Sequence, residues 1–172
     1  MNGKTNLFVS RKGRKPERER QHPRKSVATK LHDAEFVRPL LRHTDPNILA
    51  EESLADLDQL GIAPSTVVIG ISLGGLIAAR YQEMTRPDLT VLCVSSPTWA
   101  DGVRLERPMP LRAAFYSSKD EVIMGRTAEW PSLAKAWDIG TLTHDTDRHA
   151  ELLARAIAAF LKGEDVSKAI LG

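Results

Sequence analysis

Residues 66–81 read Thr66-Val67-Val68-Ile69-Gly70-Ile71-Ser72-Leu73-Gly74-Gly75-Leu76-Ile77-Ala78-Ala79-Arg80-Tyr81. Val67, Val68 and Ile69 form the apolar, β-branched run of a strand buried on both faces. The run ends in Gly70-Ile71-Ser72-Leu73-Gly74, a G-x-S-x-G pattern, and passes straight into helix formers without a breaker. A turn this tight puts its central serine in a strained backbone conformation, which lifts the hydroxyl clear of the sheet. Gly70 and Gly74 suit such a turn, because strand and helix pass too close there for side chains. The amide of Leu73, in the first helical turn, points at the same spot as the Ser72 hydroxyl. Aided by the helix dipole, it can stabilise a developing oxyanion. The loop lacks the Gly-Lys-Ser/Thr of a P-loop and the spacing of a dinucleotide fingerprint, which argues against a phosphate cradle.

The rest of the chain alternates strand and helix patterns, the signature of a parallel sheet covered on both faces. Residues 6–10 and 35–39 are short candidate strands, the second open to a helical reading over 32–41. Asp45-Pro46 opens a helix with an N-cap acid and a proline at the first turn, and Gly61 stops it. Its apolar stripe is Ile48, Leu49, Leu54, Leu57 and Leu60. Strands are predicted over 88–95, 111–117 and 139–143, and helices over 128–137 and 147–162, the last with Leu152, Leu153, Ile157, Phe160 and Leu161 inward. The expected fold class is therefore α/β: a three-layer sandwich whose mostly parallel sheet of about six strands carries helices on both faces.

A length of 172 residues suits one domain, with no repeat and no room for a separate lid. Charge is distributed unevenly. Residues 1–30 hold ten Lys and Arg against two Glu, whereas 31–172 hold fourteen against twenty acids. A basic, Pro-interrupted segment at 10–30 thus precedes a mildly acidic body. Its plain reading is a solvated segment, and without stacking aromatics or a recognisable module a nucleic-acid role has little support. No apolar run reaches membrane-span length or resembles a signal peptide. The lone Cys93 lies in a predicted strand and excludes an internal disulfide, which fits a buried small hydrophobe in a reducing cytoplasm.

Functional groups of open α/β sheets gather at the carboxyl ends of strands. That rule selects Ser72, the Ser118-Lys119-Asp120-Glu121 loop and His144, each following a predicted strand in the order Ser, Asp, His. A serine hydroxyl is a weak nucleophile until an imidazole takes its proton, and a carboxylate must hold that imidazole in the right tautomer. Asp120 has rivals in Glu121 and Asp101, and His144 has one in His149. His22, His32 and His43 follow no firm strand and read as surface residues. Trp99, Met109, Met124 and Trp130 lie on loops suited to an acyl pocket, and equally to packing. No zinc-type spacing of His and acids occurs, so no metal or organic cofactor is implied.

From about Phe36 onward the chain resembles the α/β-hydrolases, most of all the compact lidless serine hydrolases of the retinoblastoma-binding protein nine type. The resemblance rests on Phe36 with Asp45-Pro46 and Ala50-Glu51-Glu52-Ser53, and on the elbow with its trailing Ala78-Ala79-Arg80-Tyr81. It extends to Ser117-Ser118-Lys119-Asp120, and from Thr143-His144 to Glu151-Leu152. It implies Ser72 as nucleophile, Asp120 as orienting acid and His144 as general base. Such proteins carry a Gly-rich loop after the first strand, whose amide completes the oxyanion hole. Here Ser10-Arg11-Lys12-Gly13 takes that place, leaving Arg11 or Lys12 to supply the amide. The expected function is hydrolysis of an ester or similar acyl bond on a small molecule, with thioester hydrolysis or acyl transfer open to the same groups. The alternative is a binding or regulatory protein on a hydrolase scaffold.

Overall fold

The computed structural model describes residues 5–9, 34–37 and 46–172 except 65 and 101, with side chains from residue 53 onward. Six strands form one sheet: β1 (Thr5–Val9), β2 (Ala34–Val37), β3 (Val67–Ile71), β4 (Thr90–Val94), β7 (Arg112–Tyr116) and β8 (Lys135–Asp138). Their order across the sheet is β2-β1-β3-β4-β7-β8, and every neighbouring pair is parallel. A two-stranded antiparallel ribbon, β5 (Trp99–Ala100) and β6 (Val103–Arg104), lies outside it. The helices are α1 (Pro46–Gln59), α2 (Leu73–Met84), α3 (Trp130–Leu133), α4 (Ala150–Lys162) and α5 (Val166–Leu171), with a 3-10 turn at Thr146–His149. No helix among the described residues is long and apolar enough to cross a membrane.

Strand periodicity sorts the core into two layers. Val68, Val91, Cys93, Ala114 and Tyr116 face one side, where they pack with Leu57 of α1, Leu76 and Ala79 of α2, and Trp130. Ile69, Ile71, Leu92, Val94, Ala113 and Phe115 face the other, against Leu153, Ala156 and Ile157 of α4 and Val166 of α5. The expected sandwich with helices on both faces is the observed one. The six strands of the main sheet being parallel, their carboxyl ends share one edge of it.

Residues 130–143 depart from expectation. Helix α3 is a single turn, and the strand that follows is Lys135–Asp138, not 139–143. Pro131 fits the first turn, where a missing N–H costs nothing, and the extended Ala134 ends the helix after that turn. Trp137 then stacks on Phe115 at a centroid distance of 5.3 Å and meets Phe160 edge-on, which fixes residues 135–138 beside β7. Residues 139–143 form a turn, with Leu142 N–H donating to Ile139 O at 2.8 Å. Leu60 and Leu161 were expected to face inward and are both exposed.

Candidate active site

Ser72 stands between β3 and α2 with φ 57° and ψ −131°. Its N–H reaches across to Val94 O at 2.9 Å, and its carbonyl accepts from Gly75 N–H at 3.0 Å. The elbow therefore hangs on the end of the neighbouring strand. A side chain at Gly70 would collide with the Gly75 backbone, including its nitrogen at 2.6 Å, and one at Gly75 would meet Ser96 and Gly70 O. The partner of Gly70 in this close approach is Gly75, one residue beyond the pair expected. Ser96 fills the space Gly75 leaves open, donating to Val94 O at 3.0 Å.

Asp120 follows β7 by four residues and is 2% exposed. Its Oδ1 accepts the Val122 N–H at 3.0 Å, and its Oδ2 lies 3.0 Å from His144 Nδ1. A carboxylate only accepts, so Nδ1 carries the ring proton and Nε2 presents its lone pair. That lone pair faces Ser72 Oγ at 3.0 Å. Three side chains from three loops thus form one hydrogen-bonded chain, and they are Ser72, His144 and Asp120. Helix α2 begins at Leu73, so the amide of Leu73 stands at the helix N-terminus, where no preceding turn supplies an acceptor.

The other expected residues are spread more widely. Glu121 is exposed, and His149 bonds to Thr143 instead of Ser72. Arg11, Lys12, Asp101, His22, His32, His43 and the basic segment at 10–30 lie outside the described residues. Trp130 is no pocket wall. It is wholly buried and donates its indole N–H to Ser96 O at 2.8 Å. Trp99 is half-buried beneath the Arg126 guanidinium, 4.6 Å above its ring, whereas Met124 is exposed. Burial pushes the Cys93 thiol up to about 12, which leaves a neutral, unreactive group. Two features carried no signal in the sequence. One is the Val122 amide on Asp120, and the other is Ser95, which is buried at φ 45° with no partner for its hydroxyl among the described residues.

No protein-family model matches the sequence, and no curated protein matches it. Solved structures do. The chain superimposes on MGS-MChE2, an α/β hydrolase enzyme from the metagenome of sediments of the lagoon of Mar Chica, Morocco. There the TM-score is 0.67 at 14% identity, covering 94% of this chain and 92% of that one. Est1E from Butyrivibrio proteoclasticus gives 0.64 at 15% identity, over 94% and 87% of the two chains. The esterase domain of a Rhodothermus marinus protein gives 0.55 at 15% identity, over 91% and 85%. The chain has the α/β-hydrolase fold.

Proposed function

We propose that the protein is a serine hydrolase that cleaves an ester or similar acyl bond of a small molecule. The observation that carries this reading is the hydrogen-bonded chain Ser72–His144–Asp120 at the strained turn into α2. Ser72 Oγ attacks the acyl carbon as its proton passes to His144 Nε2, and Asp120 steadies the imidazolium that forms. The Leu73 amide holds the oxyanion. Arg11 is the proposed second donor. The tetrahedral intermediate collapses with the leaving alcohol taking the proton from His144. Water, deprotonated by the same ring, then attacks the acyl-enzyme and releases the acid. Leu73 alone would leave the oxyanion half-held, and one missing donor costs roughly a hundredfold in rate. Fold likeness to an esterase domain supports the substrate class without fixing it.

A fluorophosphonate probe followed by mass spectrometry tests the reading. Labelling at Ser72 that is lost in Ser72→Ala is the expected result, with ester hydrolysis lost alongside. A folded wild-type protein that takes no label would sink the proposal and leave a binding role on a hydrolase scaffold.

A further inference from the structure

A second histidine stands beside the hydrogen-bonded chain without belonging to it. His149 ends the 3-10 turn and directly precedes α4. Its Nε2 lies 3.3 Å from Thr143 N and 3.1 Å from Thr143 Oγ1. A backbone N–H can only donate, so Nε2 is the acceptor and the neutral ring carries its proton on Nδ1.

Thr143 immediately precedes His144, and residues 139–145 belong to no helix or strand. Backbone in such a segment has few ladder bonds to fix it, and the position of the His144 ring depends on the bonds it does have. On the entering side the peptide is held by His149, and on the leaving side His144 O accepts from Thr146 N–H at 3.1 Å. His149 is in turn anchored by α4, whose Leu153, Ala156 and Ile157 are buried in the second core layer.

We infer that His149 is a positioning residue, which ties the backbone of the His144 loop to the packed helix α4 and so keeps His144 within reach of Ser72 and Asp120. The inference rests on the proposed reaction of Ser72 with His144. It requires an acceptor at position 149 and no proton transfer by that ring. One partly exposed hydrogen bond is worth about 1 kcal/mol, or roughly a factor of five in rate where it acts on the placement of the base.

The test compares kcat and KM for p-nitrophenyl acetate at pH 8 in the wild type, His149→Ala and His149→Gln. His149 is half-exposed, so neither change threatens the fold. His149→Ala is expected to lower kcat about three- to tenfold with little change in KM. His149→Gln, whose Oε1 can accept from Thr143 at a similar reach, should recover most of it. An alanine variant with wild-type kcat, a loss confined to KM, or a glutamine variant as slow as alanine would overturn the inference. Ser72→Ala and His144→Ala run alongside separate the two failures. If either keeps the wild-type rate, the reaction does not pass through this pair and both readings fall. If both are inactive while His149→Ala is unimpaired, only the role of His149 falls.

Discussion

Ser72 holds a backbone conformation that costs a non-glycine residue on the order of 1–3 kcal/mol, and the surrounding bonds to Val94 and Gly75 keep it there. Stability is given up at the residue that the proposed reaction uses as its nucleophile. Cys93, two residues before the equally unusual Ser95, shows the opposite economy: an ionisable group made inert by burial. Its raised value has a definite sign. Below pH 9 the thiol is protonated in both folded and unfolded chains, and its contribution is fully present. Between about 9 and about 12 only the unfolded chain ionises, so stability falls as pH rises, by up to about 1.4 kcal/mol per unit. Tyr81 and Tyr116, raised above 10 chiefly by burial, add a decline of the same sign at higher pH. Urea unfolding between pH 7 and 11 should therefore be flat to pH 9 and then drop, and Cys93→Ala should delay the drop to about pH 10. Parallel curves for the two proteins would refute the assignment.

At the scale of elements, the β3–α2 junction depends on two glycines that meet face to face. Gly75 lies inside a helix, where alanine would ordinarily be preferred by about 1 kcal/mol. The structure reverses that sign, because a new Cβ runs into Ser96 Oγ and also meets Ser96 Cβ at 2.9 Å and Gly70 O at 2.8 Å. Gly75→Ala should cost about 1–3 kcal/mol, and Gly70→Ala, which runs into backbone alone, should cost as much or more. Adding Ser96→Ala removes one colliding atom at Gly75 and none at Gly70. The double mutant should recover part of the first loss and none of the second, as thermal unfolding would show. Equal recovery in both would mean the elbow yields as a whole. The strand-to-helix pattern around Ser72 was plain in the sequence because both elements follow their own short-range periodicities. The strand at Lys135–Asp138 was not, since its apolar contacts, Trp137 on Phe115 and Phe160, come from distant positions.

For the whole molecule, the end of the sheet away from Ser72 is closed by a buried ion pair. Arg112, at the start of β7, and Glu83, near the end of α2, are both wholly buried at 3.2 Å. Arg112 also donates to Gln82 Oε1, Arg107 O and Ala79 O, and Glu83 accepts the Arg107 N–H. Every polar atom of the pair has a partner, which offsets the cost of removing the charges from water. Arg112→Met leaves Glu83 with Arg80 at 3.1 Å as its remaining ion-pair partner and takes the donor from Gln82 Oε1, Arg107 O and Ala79 O, so it should destabilise by up to about 3 kcal/mol. Because the pair sits at the amino ends of the strands, kcat measured on folded protein should stay near the wild-type value. A large loss of kcat without a loss of stability would show that this end of the sheet communicates with the other.

The sequence by itself determined the α/β alternation, the order of elements around β3 and α2, and two side chains placed just after strands, Ser72 and Asp120; the strand expected directly before His144 is a turn. Each of these follows from patterns a few residues long: apolar periodicity, glycine at a tight turn, proline at a helix start. Only the tertiary structure decided which histidine meets Ser72 and which carboxylate meets that histidine. Asp120 and His144 lie 24 residues apart, and His144 is 72 residues from Ser72. No local preference separates Asp120 from Glu121 or His144 from His149. The choice is made by sheet order, which sets β3, β4, β7 and β8 side by side, and by the Val122 and Thr143 amides that fix where each side chain ends.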